Sequence, residues 1–212
     1  TSLVSLENTA NRGGGSCYEF SEIQRIKEVC SQNNLKLHLD GARLWNAMAA
    51  TKESPLEFGK IFNTISVCLS KGLGCPVGSI LVGSEADMKR ALRIRKIFGG
   101  GMRQAGFLAA AGIYALDHHR ERLTEDHRRA KEIGTVLAEL PFVEHIAPIE
   151  TNIIIFGIDE KQVTVAQFIE KLREKDILLM GMGKGKLRIV THLDYTENMH
   201  EIFLRELRSL FL

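Results

Sequence analysis

The sequence carries almost no net charge: 28 Lys and Arg stand against 26 Asp and Glu, a formal +2 at neutral pH over 212 residues. So even a balance gives no electrostatic reason to expect a nucleic acid or an anionic membrane as partner. Long apolar runs are missing too. Nothing approaches the ~18 residues of a membrane-spanning helix, and the first residues lack the charged and apolar regions of a secretory signal. Cysteine is scarce, with four residues at 17, 30, 68 and 75 and no CxxC spacing. That argues against a disulfide frame or a zinc site and for reduced thiols in a cytoplasmic protein. What is present, 44% hydrophobic and 25% charged residues, is ordinary globular composition, and the length suffices for one domain or one plus a small appendage.

Against this plain background one stretch stands out: Ser66-Val67-Cys68-Leu69-Ser70-Lys71-Gly72-Leu73-Gly74-Cys75-Pro76. A short apolar run ends in a lysine followed by glycines, the pattern of a buried strand delivering one amine to the rim of a sheet. Gly72 and Gly74 permit positive φ and close backbone approach, and Pro76 stiffens the exit. Lys71 by itself is either a surface charge or a nucleophile. Upstream, Leu35-Lys36-Leu37-His38-Leu39-Asp40 alternates as a strand and stops at Asp40-Gly41-Ala42-Arg43. Ligands of open α/β sheets gather outside the carboxyl ends of strands, so an aspartate and a lysine at two such ends suit one crevice. Pyridoxal 5'-phosphate needs both: its aldehyde forms a Schiff base with an amine, and its ring nitrogen requires an acidic partner. Arg43 adds a fixed cation beside them.

The segments HLDGARLWNA (38–47), CLSKGLGCPVGS (68–79), GGGMRQAG (99–106) and LRIVTHLD (187–194) together resemble those of the low-specificity threonine aldolases. The similarity runs from Leu3 to the end. It implies the aspartate-aminotransferase-like fold: a mostly parallel mixed sheet in a large α/β domain, and a small C-terminal α+β domain. It further implies pyridoxal phosphate held by Lys71, Asp40 and Arg43, with Lys71 and Asp40 catalytic, and Arg103 reaching the cofactor phosphate of a neighbouring subunit. Arg188 becomes the clamp on the carboxylate of an amino-acid substrate, with Arg43 close to that substrate. The implied partners are a small amino acid and further copies of the chain, in a homodimer or homotetramer with the site at the interface. The implied reaction is cleavage of threonine or allo-threonine to glycine and acetaldehyde. Other enzymes of the fold, a β-eliminating lyase or a phenylserine-type aldolase, and an inactive fragment remain as alternatives. The chain opens on Thr1, already strand-like, so the resemblance makes it the C-terminal two thirds of such an enzyme. The phosphate-binding loop, the group stacked on the ring and part of the substrate pocket would precede it.

The remaining chain reads in order. Residues 3–6 form a strand, and residues 7–16 form a polar, glycine-rich loop. Its triple glycine is either a phosphate cradle or a flexible connector, and no GKS or GKT follows. Ser21 caps a helix carrying Ile23, Ile26, Val29 and Cys30. Residues 44–50 read as helix or turn and 55–59 as a connector. Residues 64–69 and 76–83 read as strands, with Ile80 and Val82 as core candidates. The helix at 85–96 carries Lys89, Arg90, Arg93, Arg95 and Lys96 without interleaved aromatics, a solvated face or a subunit contact. Gly99-Gly100-Gly101 leads to Arg103 before a helix at 105–116, an anion site or merely close packing. His118, His119 and His127 lack metal-ligand spacing and fit a polar face of a helical stretch at 120–140. Pro141 divides a large domain (1–140) from a small one (141–212). In the small one, strands 152–156, 177–179 and 186–190 alternate with helices 163–175 and 196–211, and His192 and Asp194 read as structural.

Overall fold

The computed structural model describes residues 1–210 and divides the chain into two compact units, residues 1–10 with 17–123, and residues 11–16 with 124–212. The first unit is built on a four-stranded mixed sheet in the order β1-β2-β3-β4. Strands β1 (Leu3–Glu7), β2 (Lys36–Gly41) and β3 (Thr64–Cys68) run parallel, and β4 (Ser79–Gly83) closes the row antiparallel. Parallel neighbours need crossover connections, here α1 (Phe20–Gln32) and the pair α2 (Leu44–Thr51) and α3 (Pro55–Ile61).

The alternation in β2 decides which face is dry. Leu37 and Leu39 are fully buried and pack with Ile23 and Cys30 of α1 and Phe58 of α3, while His38 and Asp40 lie on the opposite face. Phe20 and Phe58 meet edge to face with centroids 5.5 Å apart, a favourable aromatic geometry. Residues 55–59 are thus a helix, not the connector their proline and glycine suggested. Ser54 accepts from the Glu57 N–H while Glu57 accepts from the Ser54 N–H, a reciprocal cap, and Pro55 occupies the first turn, where no N–H is required. Helix α1 likewise begins one residue earlier than its expected cap, with Glu19 at that position and no side-chain cap. Ile80 and Val82 of β4 stay about half exposed, because β4 is an edge strand that no further element of the unit covers. Helices α4 (Glu85–Ile97) and α5 (Gly106–His118) follow, and the five cations of α4 face solvent.

The second unit is an antiparallel sheet in the order β5-β6-β8-β7, with α6 (Leu123–Ala138), α7 (Val165–Arg173) and α8 (Glu197–Ser209). Its strands are β5 (Val143–Ile146), β6 (Ile153–Ile158), β7 (Gly181–Gly183) and β8 (Lys186–Val190). Ile154, Phe156, Phe168, Leu172, Leu187 and Leu207 form its core with Ile133 and Leu137 of α6, so Pro141 stands inside this unit. The strand expected at 177–179 does not form. Pairing starts instead at Gly181, beyond the expected strand, and β5 was not anticipated at all. Phe211, the expected end of the last helix, lies outside the described residues.

His127 is buried, not on a polar face, and His118 and His119 belong to the end of α5. A polar network crosses α6 and α8. His200, 1% exposed, donates through Nε2 to Glu132 at 2.7 Å and accepts at Nδ1 from the Tyr195 hydroxyl at 3.1 Å. The bond from His200, joined by one from Arg128, holds the Glu132 carboxyl below its ordinary value. A depressed carboxylate stabilises the fold above its unfolded pKa and loses that contribution as pH falls through the folded one. Glu132→Gln should therefore flatten the acid limb of a thermal-midpoint profile; an acid limb as steep as that of the parent would contradict this.

Candidate active site

The three parallel strands of the first unit all present their carboxyl ends at one edge of the sheet, with β2 between its neighbours. In register, Glu7 lies beside Asp40, and Asp40 beside Ser66. The chain leaving β1 carries Asn8 and Thr9, Asp40 is the last residue but one of β2, and Lys71 stands three residues beyond the end of β3. Adjacent strands are about 4.8 Å apart, so these groups share one rim. Asp40 and the turn that carries Lys71 thus both leave the sheet at its carboxyl-end edge.

The Lys71 turn is fixed although its side chain is exposed. Leu69, Leu73 and Cys75 are buried on either side of it with Ala115. The Leu69 N–H donates to Gly78 O at 2.9 Å, the Cys75 N–H to Leu69 O at 3.1 Å, and the Gly74 N–H to Lys71 O at 2.8 Å. His119 donates from Nδ1 to Leu73 O at 2.7 Å, a supporting role the sequence did not disclose. Gly74 takes φ +71°, and a Cβ on Gly72 would lie 2.9 Å from both Asn46 Nδ2 and Leu123 Cδ2. The first glycine serves close packing and the second a left-handed turn. Burial pushes the Cys75 thiol up, so this neighbour of the lysine is an unreactive packing group.

Asp40 is exposed on the open face, where its carboxylate accepts only from the Ala42 N–H, at 3.1 Å. On the same face His38 and Thr64 are joined at 2.8 Å. Arg43 is half-buried at the entry to α2. The exposed Arg103 lies just before α5, whose N-terminal flank is Ala105. In the second unit, Arg188 sits on β8 opposite Ile155 of β6, an interior strand of its sheet, and donates from Nη1 to Asn11 Oδ1 at 2.9 Å. His192 and Asp194 are a weak exposed pair, 3.7 Å apart.

The resemblance put Glu7-Asn8-Thr9 near the cofactor without giving them a definite role. Asn8 and Thr9 are both buried, yet Asn8 Oδ1 and Thr9 Oγ1 have no hydrogen-bond partner. Buried polar atoms are normally satisfied, so two such oxygens beside Asp40 are an unusual feature of this edge of the sheet. Apart from the resemblance, the signal in the sequence was a polar run directly after a strand. With an amine, a carboxylate and unsatisfied oxygens on one rim, the residues present fit pyridoxal phosphate. Among the described residues no three His, Cys, Asp or Glu side chains gather as metal ligands, and no helix is long and apolar enough to cross a membrane.

Residues 1–161 match the family model described as beta-eliminating lyase. The chain is 37% identical over 198 residues to low-specificity L-threonine aldolase 1 of Arabidopsis thaliana, an alignment covering 92% of this chain and 55% of that protein. It is 39% identical over 203 residues to low specificity L-threonine aldolase of Escherichia coli K12, covering 95% and 58%. Among solved structures it superimposes on threonine aldolase of Leishmania major with a TM-score of 0.76 at 19% identity, covering 99% of this chain and 61% of that one. The chain therefore spans a little over half the length of the curated relatives it matches, less than the two thirds expected.

Proposed function

Because this chain belongs to the beta-eliminating lyase family, we propose that it is the larger part of a pyridoxal-phosphate-dependent threonine aldolase. In that reaction the Cα–Cβ bond of L-threonine or L-allo-threonine breaks, its electron pair stays on Cα, and the β-hydroxyl loses its proton. A proton returned to Cα gives glycine, and Cβ leaves as the aldehyde carbon of acetaldehyde. What supports this reading is the carboxyl-end edge of the parallel sheet, from which Asp40 and the Lys71 turn both depart, with the unsatisfied oxygens of Asn8 and Thr9 on the neighbouring strand exit. The named aldolases that align with nearly the whole chain support the choice of reaction.

When bound, pyridoxal phosphate supplies an electron sink for the carbanion at Cα. Lys71 Nζ is its attachment point, presented by a turn that packing holds in place. Asp40 keeps a proton on the ring nitrogen, because a nearby carboxylate favours the charged form of its partner. Arg43 sits by the ring and the substrate, and Arg103 binds the phosphate of a neighbouring copy, which makes the enzyme a homodimer or homotetramer. Arg188 binds the amino acid's carboxylate through two parallel N–H donors, and that grip selects which bond at Cα breaks.

The family's own description keeps β-elimination as the second reading. Incubating the full-length protein with threonine, phenylserine and serine separates the two. Glycine with acetaldehyde from threonine is the expected outcome; pyruvate from serine without glycine from threonine would replace the aldolase by a β-eliminating lyase.

A further inference from the structure

Residues 11–16 belong to a loop whose triple glycine reads in the sequence as either a phosphate cradle or a flexible connector, and in the structure they are a fitted part of the second unit. Gly14 and Gly15 are buried with φ +77° and +76°, a conformation that favours glycine. Thr151 Oγ1 donates to Gly15 O at 2.7 Å. A Cβ on Gly15 would stand 2.4 Å from Thr151 Oγ1 and 3.1 Å from Ile153 Cβ, and one on Gly14 would stand 3.5 Å from Ala147 Cβ. Position 11 is therefore delivered to the sheet by a segment with little freedom. What it delivers is the Asn11 carbonyl oxygen, which accepts from Arg188 Nη1 at 2.9 Å.

The choice of acceptor matters. A guanidinium has five N–H donors in a planar fork, and one bond to Asn11 fixes the fork's rotation while leaving donors for a second ligand. The amide oxygen is neutral, so the charge on Arg188 stays uncompensated, and among the described residues no carboxylate pairs with it. A carboxylate in place of Asn11 would hold the same fork but neutralise it.

We propose that Asn11 is a positioning residue that orients the Arg188 guanidinium without cancelling its charge, so that Arg188 accepts the carboxylate of an α-amino acid. This rests on the reading of Arg188 as the carboxylate clamp. Asn11→Asp, nearly isosteric, turns the contact into an internal ion pair that competes with the incoming carboxylate. Asn11→Ala frees the fork to rotate.

The test uses the full-length protein labelled with [15N]arginine, the Arg188 Nε–H resonance assigned by its loss in Arg188→Lys, and glycine as the probe carboxylate. Glycine shifts that resonance in the parent chain. Asn11→Asp weakens glycine binding about tenfold or more, ~1.4 kcal/mol, without lowering the thermal midpoint. Asn11→Ala weakens it less, and serves if the aspartate variant is unstable. Neither substitution changes glycine affinity further in the Arg188→Lys background, where binding is followed through the remaining arginine resonances; that non-additivity separates action through Arg188 from a general loosening of the segment. Parent-like glycine affinity in both Asn11 variants, with Arg188→Lys impaired, overturns the role of Asn11 alone. Parent-like affinity in Arg188→Lys, or no response to glycine in the parent chain, overturns the clamp reading as well.

Discussion

Replacing Lys71 by alanine is expected to abolish both covalent cofactor uptake and turnover while leaving the fold intact. The fold survives because the Lys71 side chain is exposed and makes no hydrogen bond or ion pair among the described residues. Its turn is held by Leu69, Leu73 and Cys75 and by backbone hydrogen bonds, none of which the substitution touches. Surface changes away from buried features typically stay within about 0.5 kcal/mol of the parent. Mass spectrometry after pyridoxal phosphate and borohydride treatment provides the readout. The parent should gain one reduced cofactor adduct on Lys71 and the variant none. An adduct of equal yield in the variant would remove Lys71 from the chemistry and with it the reading of the whole rim.

The second large effect is expected at Asp40. On the proposed reading, Asp40→Ala deletes the carboxylate that would keep the proton on the cofactor's ring nitrogen, so the carbanion would lose most of its stabilisation. A drop in turnover of roughly a thousandfold corresponds to about 4 kcal/mol at the transition state. The fall should appear in kcat at saturating cofactor and substrate, because the missing interaction grows as charge develops. Asp40 lies exposed on the open face and its carboxylate accepts one hydrogen bond, from the Ala42 N–H, so the loss would not reflect unfolding. Unchanged kcat in a variant with a parent-like thermal midpoint would detach this carboxylate from the reaction. The two substitutions fail differently: Lys71→Ala prevents attachment, whereas Asp40→Ala still permits it and slows the chemistry.

The fold class was legible because strand and helix periods differ. The alternation at 35–40 and the helical spacing of Ile23, Ile26 and Cys30 assign a strand and a helix with no knowledge of the rest of the chain. Errors arose where local composition and tertiary context disagree. Pro55 and Gly59 suggest a break, yet the Ser54–Glu57 cap makes a helix of them. Ile80 and Val82 have the chemistry of a core and lie at an edge. At 177–179 an apolar run promises a strand, but pairing with β8 begins only at Gly181.

The sequence alone singled out the residue types this chain offers for chemistry: an aspartate near the end of one strand, a lysine just beyond another, and no cluster of charge or thiols pointing to another class. Those are properties of short windows, in which residue type and spacing suffice. Which groups share a rim was decided by the parallel registry of β1, β2 and β3, since hydrogen bonding between strands joins residues that lie tens of positions apart. Only that folding could leave Asn8 and Thr9 buried without partners, or carry Asn11 to a guanidinium 177 residues away. The satisfaction of a polar atom depends on what surrounds it in space, and a linear pattern does not contain that information.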